Sequence, residues 1–98
     1  MLRLDRVAIA HLCREFGVRR LAAFGSALTD RFDPDRSDVD FLVEFADDAP
    51  RTLDHYFRFK SALETVVDRP VDLVEVGALR NPFIIESIEA SKEELYAA

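Results

Sequence analysis

The chain has 98 residues, of which 49% are hydrophobic and 33% charged, with three glycines and four prolines. This ordinary globular composition predicts a single domain over residues 1–98, without repeats or low-complexity segments. Thirteen basic and 19 acidic residues give a net charge of −6, which disfavours direct binding to nucleic acid. One cysteine excludes an intramolecular disulfide, and no apolar run approaches the roughly 20 residues of a membrane helix, so we expect a cytoplasmic protein.

Hydrophobic spacing in the first third of the chain predicts a helix followed directly by a strand. Over residues 4–16 the apolar positions follow the i, i+3, i+4, i+7 pattern of one helix face: Ile9, Leu12, Cys13 and Phe16. Gly17 is expected to end this helix. The run Val18–Phe24 is rich in apolar residues, although its first half carries Arg19 and Arg20, and it predicts a strand. After it we expect a short helical turn over residues 27–30 and a charged surface loop to residue 37.

The remaining sequence predicts two more strands, each followed by a helix. Residues 38–45 and 71–76 are apolar enough to form strands, and the helix between them ends before Arg69 and Pro70. Asn81 and Pro82 are a helix cap and a first-turn proline for a last helix to about residue 96. The order αβ(α)βαβα predicts an α/β (α+β) fold with a small mixed sheet of three to four strands flanked by helices.

Three aspartates occur inside these apolar runs. Asp38 and Asp40 are two residues apart, so on a strand both side chains project from one face while Val39 and Phe41 project from the other. Asp72 lies in the next predicted strand. Aspartate is depleted from strands unless its charge is compensated, and Mg²⁺ prefers such carboxylate oxygens. If the two strands are neighbours, the three aspartates form a clamp for Mg²⁺.

Gly25 and Ser26 follow the first predicted strand directly. Glycine permits a tight strand-to-helix turn, and the serine hydroxyl with the free N–H groups of the helical turn can bind a phosphate. The Gly-Ser turn and the aspartate clamp together could bind the two ends of one nucleoside triphosphate. With Asp38 and Asp40 engaged with the triphosphate, Asp72 is the candidate to activate an incoming hydroxyl.

Each of these features has an ordinary structural explanation when it is taken alone. Gly-Ser after a strand is commonly a simple turn with a helix cap, and Asp-x-Asp is commonly an exposed strand edge. Their order along the chain, each on the element that its role requires, favours the functional explanation. Cys13, in contrast, has an apolar helix position and no acid or base at catalytic spacing, so we expect a buried structural thiol.

The stretches Phe24-Gly25-Ser26, Ser37 to Phe45 and Val71 to Val74 resemble the minimal nucleotidyltransferases of the DNA polymerase beta superfamily. The ending from Arg80 to Tyr96 resembles the last helix of that family. Proteins of this kind are antitoxins paired with a helical HEPN-type ribonuclease toxin, and they transfer AMP from ATP to a toxin tyrosine with Mg²⁺. The resemblance implies nucleotide binding by Gly25, Ser26 and Ser37, and metal binding and catalysis by Asp38, Asp40 and Asp72.

Two departures from the family pattern keep an alternative open. Eleven residues separate Ser26 from Asp38, one more than is usual, and Thr29 stands where many relatives carry an arginine. Arg31 and Arg36 are candidates to replace that cation. The alternative is an antitoxin that neutralises its toxin by binding alone, as part of a hetero-oligomer; a homo-oligomer also stays open. A transferase acting on a small molecule is a weaker alternative, since the chain has no room for a second domain.

Overall fold

The computed structural model describes residues 4–24 and 39–98. Its elements follow one another as α1 (Arg6–Phe16), β1 (Val18–Phe24), β2 (Val39–Phe45), α2 (Leu53–Val67), β3 (Val71–Glu75), α3 (Pro82–Ser91) and β4 (Glu93–Ala97), with a 3₁₀ turn at Val76–Ala78. The predicted helical turn at residues 27–30 and the loop after it lie outside the described residues. Within residues 4–24 and 39–98, no helix combines the length and apolar character needed to cross a membrane.

Polar side chains and left-handed residues set the ends of the helices. Each helix begins at a side chain whose oxygen accepts a first-turn N–H, at 3.0, 3.1 and 2.9 Å: Asp5, Thr52 and Asn81. Two of the helices end at residues with positive φ, which are Gly17 at 70° and Asp68 at 56°. Gly17 thus ends α1 as predicted.

Gly17→Ala is expected to lower the free energy of unfolding by about 2 kcal/mol. The left-handed conformation costs an alanine about 1–2 kcal/mol, and its Cβ would lie 3.1 Å from the Cβ of Ala49. Urea denaturation measures the change. Gly77→Ala is the matched control, because a Cβ there meets nothing within 4 Å, and it should change stability by less than about 0.5 kcal/mol. Equal effects of the two substitutions would contradict this account of the helix end.

The four strands form one mixed sheet in the order β3-β2-β1-β4. β2 and β3 are parallel, whereas β1 is antiparallel to both of its neighbours, β2 and β4. Phe24 pairs with Asp40, and Val39 pairs with Val71. The end of β1 and the starts of β2 and β3 therefore lie next to one another at one end of the strands. This architecture confirms the predicted small mixed sheet flanked by helices.

The helices cover both faces of the sheet. The main core joins α1 and α2 to one face and contains Ile9, Cys13, Val18, Leu21, Ala23, Val39, Phe41, Val43, Phe59, Leu63, Val71, Leu73 and Leu95. The second core joins α3 to the opposite face and contains Ala22, Leu42 and Ile88, with Phe24, Val74 and Leu79 packed against them. Alternate strand residues thus enter different cores, as the period of two requires.

The prediction of a last helix reaching residue 96 was wrong. The helix ends at Ser91, and Glu93–Ala97 form β4 on the open edge of β1. Leu95 is buried in the main core, and the amide of Ala98 donates to the carbonyl of Arg19 at 2.8 Å. Pairing with a distant strand and burial of Leu95 outweigh the local helix preference of the segment. Smaller differences are that β3 ends at Glu75 and that α1 begins at Arg6.

Candidate active site

Two of the three predicted aspartates lie directly opposite each other on neighbouring strands. Asp40 of β2 and Asp72 of β3 are register partners in the parallel pair, whose strands lie about 4.8 Å apart. Both side chains project from the sheet face that α3 covers, because the residues on either side of them enter the main core: Val39, Phe41, Val71 and Leu73. Asp40 is half-buried and Asp72 is exposed. We call these two residues the carboxylate pair.

An apolar floor lies beside the carboxylate pair on the same face of the sheet. The next row across the three strands consists of Ala22, Leu42 and Val74, which are register partners in turn. Ile88 of α3 packs against this row. Ala22, Leu42 and Ile88 are buried, so the half-buried Asp40 has apolar neighbours on that side, and its charge interacts more strongly with a bound cation than it would in bulk water.

The other predicted site residues lie outside the described residues: Gly25, Ser26, Ser37 and Asp38. The described chain nevertheless fixes where this segment leaves and returns. It leaves β1 after Phe24, the register partner of Asp40, and it re-enters the sheet at Val39. Within residues 4–24 and 39–98, no three His, Cys, Asp or Glu side chains are grouped closely enough to hold a metal ion. The roles of the four residues, and of the carboxylate pair, stay predictions.

Tyr56 of α2 was not predicted to have a role near the site. Its hydroxyl donates to the carbonyl of Leu73, the residue after Asp72. Burial, together with the negative charges of Asp72 and Glu75, raises the pKa of Tyr56 above its usual value. In the sequence, Tyr56 is one of the hydrophobic positions that predict α2. The sequence does not indicate that its hydroxyl reaches the third strand.

Glu64 of the same helix was also missed. Its carboxylate accepts the backbone N–H of Val71 at 2.9 Å, and the Nζ of Lys60 lies 3.4 Å from the same carboxylate. Lys60 and Glu64 are i, i+4 neighbours, a spacing that from sequence indicates only a surface ion pair. The contact with Val71 connects residues seven positions apart across a turn, and a helical spacing pattern does not reveal it.

One cleft of the described structure lies away from the carboxylate pair. It has a volume of about 730 Å³ and opens between the ends of β2 and β3 and the start of α2. Charged groups at its rim pair with each other: Arg19 lies 3.6 Å from Glu44 and 3.3 Å from Asp47. Neither Asp40 nor Asp72 lines it. We therefore place the candidate active site by its carboxylates rather than by the size of a cleft.

Cys13 is the buried structural thiol that the sequence predicted. Its side chain is fully buried in the main core. Burial raises the pKa of the thiol to about 12, although the nearby charge of Arg14 acts in the opposite direction. A thiol with this pKa has almost no thiolate at neutral pH, so Cys13 is not a nucleophile.

Alkaline pH is expected to destabilise the protein through Cys13. The folded-state pKa of about 12 exceeds the ordinary value of 9.0, so above about pH 9 the folded state binds more protons than the unfolded state. Stability is then lost at about 1.4 kcal/mol per pH unit, or about 2–3 kcal/mol by pH 11. Urea denaturation at about pH 9 to 11 measures the loss. The free energy of unfolding of Cys13→Ala should fall by about 2–3 kcal/mol less than that of the wild type over this range. The raised pKa of Tyr56 contributes equally to the pH dependence of both proteins. An equal loss of stability per pH unit in both would therefore contradict the assignment to Cys13.

The family model for the nucleotidyltransferase domain matches residues 6–95. The match includes β1, β2, β3, the first three residues of β4 and the carboxylate pair, and the chain therefore belongs to the nucleotidyltransferase domain family. Two relatives from Methanocaldococcus jannaschii are named, by inference, protein adenylyltransferases. One is 37% identical over 78 residues, which are 80% of this chain and 76% of the relative's length. The other is 29% identical over 75 residues, which are 76% of this chain and 74% of the relative's length.

Solved structures place the chain among the minimal nucleotidyltransferases. A structure assigned by inference to that group is 34% identical, with a TM-score of 0.74 over 90% of this chain and 86% of its own. A chain of a toxin–antitoxin structure with AMP-PNP is 21% identical, with a TM-score of 0.75 over 97% and 75%. A chain of a complex between tri-AMPylated Shewanella oneidensis HEPN toxin and an MNT antitoxin is 19% identical, with a TM-score of 0.66 over 95% and 70%. The last two likenesses show the shared fold.

Proposed function

We propose that this nucleotidyltransferase is a protein adenylyltransferase antitoxin, which transfers AMP from ATP to a tyrosine hydroxyl of a HEPN-type toxin. The observation that carries the proposal is the register of Asp40 and Asp72 on adjacent parallel strands. In the sequence, Gly25 and Ser26 follow the end of β1 and Asp38 precedes the start of β2, and these two strand ends lie at the same end of the sheet as the carboxylate pair. Relatives named as protein adenylyltransferases and a solved complex with an AMPylated HEPN toxin support the choice of reaction and partner.

The donor set at the carboxylate pair fits Mg²⁺. Asp40 and Asp72 present carboxylate oxygens on one face of the sheet and in register, and hard oxygen ligands are what Mg²⁺ prefers. Asp38, two residues before Asp40 in the sequence, is the third proposed ligand. When bound, Mg²⁺ neutralises charge on the triphosphate and on the attacking and leaving oxygens.

The chain's own residues would then bind the nucleotide and accept a proton. Gly25, Ser26 and Ser37 are the proposed contacts to the phosphates. The acceptor hydroxyl oxygen forms a bond to the α-phosphorus of ATP, the bond from that phosphorus to the β-phosphate oxygen breaks, and pyrophosphate leaves. Asp72 is more exposed than Asp40, so it is the better placed carboxylate to take the hydroxyl proton.

The proposal is tested with purified protein, Mg²⁺ and labelled ATP, in the presence and absence of the product of the neighbouring gene. Label from the α-phosphate should appear on a tyrosine of the neighbour, and label from the γ-phosphate should not, because pyrophosphate leaves. Mass spectrometry then identifies the modified tyrosine. Labelling must disappear in Asp38→Asn and when Mg²⁺ is chelated.

A stable complex that forms without any labelling would overturn the transfer reaction. It would favour the antitoxin that acts by binding alone, for which the longer loop before Asp38 and the threonine at position 29 give a reason. Labelling of a free small molecule instead of the neighbour would identify the acceptor as something other than a protein.

A further inference from the structure

β3, which carries Asp72, is an edge strand. Among the strands of residues 4–24 and 39–98, β2 alone lies beside it in the sheet. The carbonyl of Pro70 points toward β2, because it accepts the amide of Val39 at 3.0 Å. Since backbone groups of successive strand residues point to opposite edges, the N–H and C=O groups of Val71 and Leu73 point away from β2. These are the groups that an edge strand leaves unpaired.

Helix α2 pairs two of these outward groups, one on each side of Asp72. The carboxylate of Glu64 accepts the N–H of Val71 at 2.9 Å, and the hydroxyl of Tyr56 donates to the C=O of Leu73. The two side chains are eight residues apart on α2, so they reach β3 from the same side of the helix. Asp72 is thus bracketed by side-chain hydrogen bonds to the backbone of both of its neighbours.

Both bracketing side chains are themselves held in place. The ring of Tyr56 packs against the main core, so its hydroxyl, which donates to the carbonyl of Leu73, has a restricted position. The carboxylate of Glu64 lies 3.4 Å from the Nζ of Lys60 on the same helix. A side chain that is fixed by packing or by an ion pair can fix the backbone that it contacts.

We propose that Tyr56 and Glu64 are positioning residues that hold β3 in place and thereby keep the Asp72 carboxylate opposite Asp40. This inference rests on the proposed function, in which Asp72 binds metal and accepts the proton. β2 contacts one side of β3, and α2 holds the other side at the N–H of Val71 and the C=O of Leu73, the residues before and after Asp72. Neither Tyr56 nor Glu64 touches the reacting atoms in this proposal; each acts through the β3 backbone.

The first test uses Tyr56→Phe, with Tyr96→Phe as the matched control. Tyr96 is the other tyrosine of the chain, it lies on β4, and its ring contacts Arg14. Tyr56→Phe should lower kcat for AMP transfer by about 10-fold to 100-fold and should raise the Mg²⁺ concentration for half-maximal rate by a similar factor. KM for ATP should change little. Tyr96→Phe should match the wild type in all three quantities.

The second test uses Glu64→Ala and the conservative variant Glu64→Gln. Glutamine keeps an acceptor oxygen for the Val71 N–H, whereas alanine does not. We expect amide hydrogen exchange at Val71 to become about 10-fold faster in Glu64→Ala and to stay near the wild-type rate in Glu64→Gln. Transfer activity should follow the same order, so that Glu64→Gln rescues what Glu64→Ala loses.

Failure of this inference differs from failure of the proposed function. If the wild type transfers AMP and Tyr56→Phe does so with unchanged kcat and Mg²⁺ dependence, the positioning role is overturned. If the wild type transfers nothing, calorimetric Mg²⁺ binding decides: weaker binding by about 10-fold or more in Tyr56→Phe supports positioning of Asp72, and unchanged binding overturns it. Unchanged Val71 exchange in Glu64→Ala overturns the role of Glu64 in either case.

Discussion

Asp40→Asn is expected to reduce AMP transfer by at least about a thousandfold, which corresponds to about 4 kcal/mol of transition-state stabilisation. Asp40 is the half-buried member of the carboxylate pair, between Phe24 of β1 and Asp72 of β3. An amide keeps the shape of the side chain but removes the charge that would hold Mg²⁺. The loss is measured as the initial rate of label transfer from α-labelled ATP.

The same substitution should leave the fold intact or slightly stabilised. Asp40 and Asp72 are like charges in register on adjacent strands, and without a cation between them they repel each other. The melting temperature without Mg²⁺ should therefore stay the same or rise, and the stabilisation that Mg²⁺ gives the wild type should shrink. A sharply lower melting temperature would mean that Asp40 serves the fold rather than a metal.

Asp54→Asn is the matched control for Asp40→Asn. Asp54 lies in the first turn of α2, largely exposed, and its carboxylate is 3.7 Å from the guanidinium of Arg58. Surface pairs of this kind contribute at most about 1 kcal/mol. Asp54→Asn should keep full transfer activity with an unchanged requirement for Mg²⁺. A comparable loss of activity in Asp54→Asn would show that the transfer assay responds to net charge rather than to the site.

Local signals were sufficient to predict most of the elements from sequence. The bounds of β1 agree with the prediction at Val18–Phe24, because a segment rich in apolar residues lies there between two glycines. Gly17 and Asn81 act at helix ends as their residue types indicate. β4 was missed because its stability depends on pairing with β1, which lies some seventy residues earlier in the chain, and a local pattern carries no information about such a partner.

For the candidate site too, some features follow from the local sequence and others depend on residues far apart in the chain. Strand alternation indicates that an aspartate two residues from another shares its face, but the facing of Asp40 and Asp72 depends on β3 lying parallel to β2 in a particular register. Tyr56 and Glu64 act through single hydrogen bonds to the β3 backbone. In the sequence these two residues look like a core aromatic and a surface acid, and only the packing of α2 along β3 shows their contacts.

Phe59→Ala is expected to cost about 3–5 kcal/mol of the free energy of unfolding. Phe59 is fully buried, and its ring centroid lies 5.4 Å from that of Phe16 and 5.8 Å from that of Phe45. It therefore joins α2 to both α1 and β2. A domain of this size has about 5–15 kcal/mol of stability in total, so thermal unfolding should begin roughly 15 °C lower or more. Leu53→Ala, at the start of the same helix where Leu53 is 75% exposed, should cost less than about 1 kcal/mol.

The loss in Phe59→Ala should reach catalysis through the position of α2. Phe59 lies between Tyr56 and Glu64 on that helix, and a helix that packs less firmly holds the β3 backbone less firmly. Well below its melting temperature the variant is therefore expected to need more Mg²⁺ for half-maximal transfer, as Tyr56→Phe does, while Leu53→Ala keeps the wild-type requirement. Titration of Mg²⁺ in the transfer assay at low temperature measures this. A wild-type Mg²⁺ requirement in Phe59→Ala would show that the core sets the stability of α2 without setting the position of Asp72.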